Sequence, residues 1–354
     1  MVILHIAYIR NTSYNGVSVV VPHHINTQSK YAETGLINIY KEKINGIENQ
    51  FEYDYDFKIK NLPSPFNKPD IVVFHECYRI QYIKIYKELL KNNIPYVILP
   101  HGELAIGAQK KKRLKKFIAN LLLFNRFIKK SKAIQCLSQN EYDNVRFKAN
   151  KIVSTNGVYL PGETKDSFRD SSLKFVYIGR LDPYHKGLDL LLDAIVEIKQ
   201  TIVDNKVKFY LYGPEYAANP ILPELISSRN LSDIVLWMGP VDGKEKKKAL
   251  LDSDIFIQTS RFEGMPMGIL EALSYGVPCL ATEGTNLTKE ISKYDAGWVC
   301  ETDSHSIALS ILNAISDVDD FKNKSIHAKK LIEDNFEWDK ISHSAIVKYN
   351  DLLK

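Results

Sequence analysis

Two glutamates pose the first chemical question. Glu263 and Glu271 have seven residues between them in TSRFEGMPMGILEALSYGVPCLAT, directly after an apolar run from Asp254 to Gln258. Gly264, Met265, Pro266 and Met267 read as the turn that opens a helix carrying Leu270 and Glu271. The first amides of a helix have no intrahelical acceptor and can hold hydroxyls or an anion. Glu271, placed about two turns into that helix, falls on the side that Glu263 approaches, so two carboxylates meet one ligand from different depths. Solvated surface glutamates at a helix start are the competing explanation.

Cations stand upstream, in VYIGRLDPYHKGLDLLLDAI. Arg180 follows Gly179, and Lys186 precedes Gly187 at the start of a helix whose Leu188, Leu191, Leu192 and Ile195 recur at helical spacing. A planar guanidinium fork and an ammonium point charge together neutralise a diphosphate without a metal. LYGP, which contains Gly213, and WMGPV, which contains Pro240 and Val241, each end an apolar run at a glycine, where backbone approaches a flat ring closely. In the first half, Asn15, Gly16 and Val17 follow the first apolar run, and His101 stands in LPHGEL after another. Asp54-Tyr55-Asp56 and Asp252-Ser253-Asp254 spell DxD, but the first lacks a preceding strand and the second runs into one, so both read as structural. No HExxH or Cys/His cluster marks a metal site, and no cofactor is expected.

Short β-branched runs alternating with amphipathic stretches predict α/β architecture with parallel sheets. The expected strands are Val2 to Tyr8, Ile71 to His75, Tyr96 to Leu99, Ala133 to Cys136 and Ile152 to Thr155, then Lys174 to Ile178, Lys208 to Tyr212, Ile234 to Met238, Ile255 to Gln258, Pro278 to Thr282 and Gly297 to Val299. Helices are expected over Gln81 to Asn92, Lys110 to Lys130 and Gln139 to Phe147. The polar stretch PGETKDSFRDSS separates the two patterns. Residues 1–160 are therefore assigned to one doubly wound domain and 161–339 to a second, with a last helix over about 340–354 able to pack back on the first. Ligands of such sheets bind beyond the carboxyl ends of the strands, where these motifs lie.

Of 354 residues, 45% are hydrophobic and 25% charged, an ordinary globular usage. The four cysteines show no CxxC spacing, which argues against structural zinc and fits a reducing compartment. MVILHIAYIR lacks a basic leader and reads as a buried strand, which leads to the expectation of a cytoplasmic protein, soluble or peripheral on the inner membrane face. The net charge of +5 divides unequally, with 24 Lys/Arg against 12 Asp/Glu in residues 1–160 and 23 against 30 beyond. A basic half implies an anionic partner. Ten of its cations lie in residues 110–132, interleaved with Leu114, Phe117, Ile118, Leu121, Leu122 and Phe124, a pattern suited to an anionic membrane surface. A core-facing helix with a basic outer face is the alternative.

Taken with the Gly-Pro of YGVP and the FEW at Phe336 to Trp338, the Glu263–Glu271 stretch resembles retaining glycosyltransferases of the GT4 type, the family of many capsule, O-antigen and exopolysaccharide enzymes. Its fold is GT-B, two Rossmann-like doubly wound domains facing a central cleft. The likeness is strong over the second half and loose over the first. It implies that Glu263 approaches the donor sugar, Glu271 accepts from the ribose, and Arg180 and Lys186 bind the pyrophosphate. It places the Gly213 and Pro240–Val241 loops around the nucleobase, the amides of Asn15, Gly16 and Val17 toward the donor phosphates, and His101 at the sugar end. The family often has two glycines where Asn15 and Gly16 stand, and Asn also tolerates positive φ.

The activity so implied moves a hexose or N-acetylhexosamine from a nucleotide-diphosphate sugar, UDP on family frequency, to a glycan or polyprenyl-diphosphate-linked acceptor, with retention and without metal. Two rivals stand beside it. A nucleotide-sugar 2-epimerase shares the architecture but needs acid/base groups in a closed site. A nucleic-acid binder would use the lysine runs, although Phe117, Phe124 and Phe127 sit at helical spacing that suits burial better than base stacking.

Overall fold

A computed structural model describes residues 1–12, 16–54, 56–104, 109, 117–169, 171–214 and 221–354. The chain forms two compact units, Met1–Asn156 with Trp338–Lys354, and Gly157–Glu337. The strands of the first unit are β1 Val2–Ala7, β2 Glu33–Asn38, β3 Gln50–Glu52, β4 Ile71–His75, β5 Tyr96–Leu99, β6 Ala133–Cys136 and β7 Lys151–Val153. They form a seven-stranded sheet in the order β3-β2-β1-β4-β5-β6-β7. All pair in parallel. Strands covered on both faces read as continuous apolar runs, and IVVFH and YVIL are fully buried.

The second unit contributes β8 Lys174–Ile178, β9 Lys208–Tyr212, β10 Val235–Gly239, β11 Ile255–Gln258, β12 Cys279–Thr282 and β13 Gly297–Cys300. These six strands are parallel and lie in the order β10-β9-β8-β11-β12-β13. In each sheet the strand order reverses once, between β1 and β4 and between β8 and β11. Loops leave the carboxyl ends of such a pair in opposite directions and open a crevice for ligand.

Elements absent from the sequence reading have local causes. The helix Gly16–Gln28 carries Pro22 in its interior and the run Val19-Val20-Val21, which imitates a strand. The segment ETGLIN of β2 alternates poorly, and a Cβ at its Gly35 would meet the Phe66 and Phe51 rings at 2.8 and 2.9 Å. Aromatic side chains there fill the space that a side chain of the strand would occupy.

The last helix, Trp338–Leu353, packs in the first unit against Gly16–Gln28. Lys30 pairs with Asp339 at 2.7 Å, Trp338 is buried beside the His24 ring, and the Tyr349 hydroxyl donates to Gln135 Oε1 at 2.5 Å. PGETKDSFRDSS belongs to the second unit. There Lys165 is buried with its amide on the Tyr275 carbonyl at 2.7 Å and its ammonium on that of Leu251 at 3.1 Å.

Candidate functional site in the second unit

The loops after β8 and β11 meet at the crevice. Gly179 and Arg180 follow β8; Thr259 to Glu263 follow β11. The Lys186 ammonium lies 2.5 Å from Glu263 Oε1. The same oxygen accepts from the Ser260 hydroxyl at 2.6 Å and the Gln258 amide at 3.0 Å. Burial works against the charge of Glu263, but Lys186 and Ser260 outweigh it and hold the carboxyl below its usual range. Arg180 Nη2 donates to His185 Nδ1 at 3.4 Å, while His185 Nε2 donates to the Phe262 carbonyl at 2.8 Å. Burial lowers the pKa of His185 despite the pull of Glu263, so the ring is neutral and its Nδ1 is free to accept from Arg180.

Backbone contacts bring these charges together. Gly187 has φ +63°, and a Cβ there would stand 1.9 Å from the Thr259 carbonyl oxygen. Thr259 Oγ1 also donates to the Gly187 carbonyl at 2.9 Å, tying the two loops. Gly187→Ala is expected to lower stability by on the order of 3 kcal/mol, from left-handed backbone strain and overpacking together. A urea midpoint unchanged by the substitution would refute this account of the loop.

The helix with Glu271 spans Met267–Ser274 after Pro266. Glu271 is its fifth residue, so it lies little more than one turn in, closer to the helix start than the sequence reading placed it. Its Oε2 contacts the Lys246 ammonium, a partner from a helix, Gly243–Leu251, that the sequence reading did not assign. Leu270 is fully buried in the core and its amide bonds the Pro266 carbonyl, so it offers a ligand neither side chain nor free amide. Met265 and Met267 pack partly against that core, and the Asn286 amide holds the turn through the Glu263 carbonyl at 2.5 Å.

Gly213 directly follows β9, and a Cβ there would meet the Gly179 carbonyl oxygen at 1.8 Å, so close approach to the β8 loop demands glycine. Pro240 is exposed and Val241 half-buried just after β10, beside Trp237, whose indole donates to the Gly213 carbonyl at 3.3 Å.

Ser260, Gln258, His185 and Asn286 escaped the sequence reading. Ser260 and Gln258 carried a signal, polar residues at the end of an apolar strand; Asn286, 23 residues from Glu263, carried none.

In the first unit, Gly16 and Val17 open the Gly16–Gln28 helix, while Asn15 lies outside the described residues. His101 sits in the turn after β5 at φ +49°. Lys110 to Lys116, including Leu114, lie outside the described residues. The helical stretch after them splits its apolar residues. Phe124, Phe127 and Ile128 are buried, whereas Phe117, Ile118, Leu121 and Leu122 are 63%, 48%, 65% and 71% exposed.

The second DxD sequence carries structural contacts. Asp252 pairs with Arg169 and Lys174, and fully buried Asp254 takes Arg169 at 3.0 Å and the Lys174 amide at 2.9 Å. Asp54 contacts Lys41 at 3.4 Å; Tyr55 lies outside the described residues. Among the described residues, no group of three or more His, Cys, Asp or Glu is arranged to hold a metal, and no helix is long and apolar enough to cross a membrane.

Two Rossmann-like units with parallel sheets of these orders are the architecture of GT-B glycosyltransferases. The crystal structure of Anabaena HepE in complex with UDP and glucose shares this fold, with a TM-score of 0.71 at 15% identity over 98% of this chain and 99% of that one. The family model for glycosyl transferases group 1 matches residues 172–317. One relative, from the human phosphatidylinositol N-acetylglucosaminyltransferase, is 33% identical over 155 residues, 42% of this chain and 31% of that protein. The lipopolysaccharide 1,6-galactosyltransferase of Escherichia coli is 30% identical over 146 residues, 36% of each. The matched stretch thus spans about a third of the length of either relative.

Proposed function

We propose that this chain is a retaining, metal-independent hexosyl- or N-acetylhexosaminyltransferase. It draws on a nucleotide-diphosphate sugar, UDP-linked, and glycosylates a hydroxyl of a glycan or polyprenyl-diphosphate-linked acceptor in surface polysaccharide assembly. The observation that carries the reading is the cluster of Arg180, Lys186 and Glu263 at the β8/β11 crevice. Lys186 spends one N–H on Glu263 and keeps two for phosphate oxygens, while Arg180 contributes a second positive charge. As the bond from the anomeric carbon to the diphosphate breaks, negative charge grows where these cations are already placed. Three donors on Glu263 Oε1 draw charge from the carboxylate and weaken it as a nucleophile. The acceptor oxygen therefore bonds on the face that the diphosphate leaves, and a diphosphate oxygen takes its proton. A covalent glycosyl adduct trapped on Glu263 would sink this route. UDP is favoured by the HepE complex, and the acceptor class by the lipid and lipopolysaccharide named in the relatives.

The test is donor consumption across UDP-, GDP- and ADP-sugars with EDTA present, comparing the wild type with Arg180→Ala and Glu263→Ala. One donor should be consumed in EDTA and spared by both variants. Failure of every nucleotide to raise the melting temperature would overturn the reading; a 2-epimer formed without acceptor would replace it.

The reading extends to a membrane. Phe117, Ile118, Leu121 and Leu122 are exposed, and so are Arg126, Lys129, Lys130 and Lys132 further along the same stretch, a combination suited to burying apolar side chains under anionic headgroups. Leu121→Glu with Leu122→Glu is expected to release the protein from phosphatidylglycerol vesicles in flotation while leaving UDP binding intact. Equal flotation of variant and wild type would remove the membrane from the account.

A further inference from the structure

The crevice of the second unit treats the two oxygens of Glu263 unequally. Oε1 accepts from the Lys186 ammonium, the Ser260 hydroxyl and the Gln258 amide. Among the described residues, no hydrogen bond reaches Oε2. Lys186 alone already answers the charge of the carboxylate, so the two neutral donors are not needed for that. Donors that served only to satisfy a buried carboxylate would be spread over both its oxygens.

Local geometry explains how the two donors reach one atom. Gln258 is the last residue of β11 and Ser260 lies just past it, and both are buried. Side chains of an extended chain alternate, which puts residues 258 and 260 on one side while Thr259 between them turns to the Gly187 carbonyl. A side-chain amide nitrogen has two protons. That of Gln258 gives one to Glu263 Oε1 and the other to the Ser260 hydroxyl oxygen at 3.2 Å. The Ser260 hydroxyl, accepting from Gln258, has its own proton left for Glu263. Turning the carboxylate about its last bond would break this whole set of contacts. Oε2 is thereby held in one direction as a charged acceptor that only an O–H or N–H can satisfy.

We propose that Gln258 and Ser260 are positioning residues that aim Glu263 Oε2 at the donor sugar and make the site select a sugar with a hydroxyl or acetamido N–H at the carbon that Oε2 meets, against the same sugar lacking it. The proposal rests on the reading of this crevice as a nucleotide-sugar site. A sugar without that group would leave an ionised acceptor buried and unpaired, the arrangement by which polar sites reject deoxy analogues most strongly.

The experiment screens UDP-glucose, UDP-galactose, UDP-N-acetylglucosamine, GDP-mannose and ADP-glucose, then compares the preferred donor with its monodeoxy forms, one position at a time. Discrimination is read from kcat/KM, or from Kd where turnover awaits an acceptor. In the wild type, one position should cost about tenfold to a hundredfold. In Gln258→Met with Ser260→Ala the carboxylate is free to turn, and the cost at that position should shrink to about threefold or less. UDP should still raise the melting temperature of this variant, a result that a collapsed crevice would not give. A wild type that tolerates loss of every substituent overturns the proposal even where the variant does not fold. A variant as discriminating as the wild type overturns it too, and leaves Gln258 and Ser260 as packing residues. If none of the five nucleotide sugars raises the melting temperature of the wild type, the reading of the crevice falls and the proposal with it.

Discussion

Replacing Lys186 by methionine is expected to slow donor consumption about a hundredfold to a thousandfold, because a charge aimed at the departing diphosphate is lost. Stability should fall as well. The side chains of Lys186 and Glu263 are 15% and 10% exposed, and removing either leaves the other in a site that water barely reaches. Stranding one partner of such a buried pair costs about 3 kcal/mol, most of it the penalty on the unpaired charge. The pair therefore serves two purposes that a single substitution confounds. A double-mutant cycle separates them. Glu263→Gln with Lys186→Met removes both charges and nearly preserves volume, so its urea midpoint should recover most of what Lys186→Met alone loses, while donor consumption stays at the level of the worse single variant. Recovery of both would make the pair scaffolding. Recovery of neither would place the defect in the Gly187–Thr259 contact instead of the charges.

The legible part of this protein was what the chain states locally. Runs such as Ile71–His75 and Tyr96–Leu99 are buried on both faces of a parallel sheet, so their β-branched and aromatic content marks them without reference to anything distant. The Rossmann-like class and the placement of motifs after strands followed from the same signal. β2 and the Gly16–Gln28 helix did not, because each contradicts its own propensity. One carries glycine where aromatic rings press in, and the other a proline and three valines in a row. Tertiary packing decides such cases.

The site was legible in its charges and silent in their partners. Lys186 and Glu263 stand 77 residues apart, and nothing in either local sequence says that one ammonium will reach one carboxylate oxygen. Glu271 shows the limit from the other side. Its position in a helix was readable, but its contact with Lys246 comes from a stretch, GKEKKKALL, that looks like a solvated basic helix. The apolar stripe of residues 117–128 was read as one face. Its division into a buried group and an exposed group depends on where the helix leaves the core, which periodicity does not record.

Mild acid should unfold the first unit, for a reason set by its histidines. In the unfolded chain an imidazole takes a proton near its ordinary value of about 6.5. In the folded unit burial, with help from neighbouring rings, lowers His24 to about 4, His5 and His101 to about 3, and His75 well below its usual range. Below pH 6.5 the unfolded state therefore binds protons that the native state refuses, and stability falls as pH falls. The contribution is complete above 6.5 and drains away down to the folded values. Each histidine accounts for about 1.4 kcal/mol per pH unit, so four acting together set a ceiling of about 5. Glu76 works in the opposite sense. Burial raises it to about 6, so protonating it favours the native state as pH falls from about 6 to its unfolded value, returning about 2 kcal/mol. Against a typical reserve of about 5–15 kcal/mol, the balance places the acid midpoint of this unit near about pH 5. Trp338, whose ring lies 4.8 Å from that of His24, is a reporter inside the cluster once Trp237 and Trp298 of the second unit are replaced by phenylalanine. Its fluorescence should follow unfolding with an uptake of three to four protons, read as the slope of stability against pH. Exchanging His24 for glutamine should cut that uptake by about one, whatever it does to stability itself. A slope that does not change when His24 is removed would mean that its imidazole already carries its proton in the folded protein, and the burial account of its lowered pKa would fail.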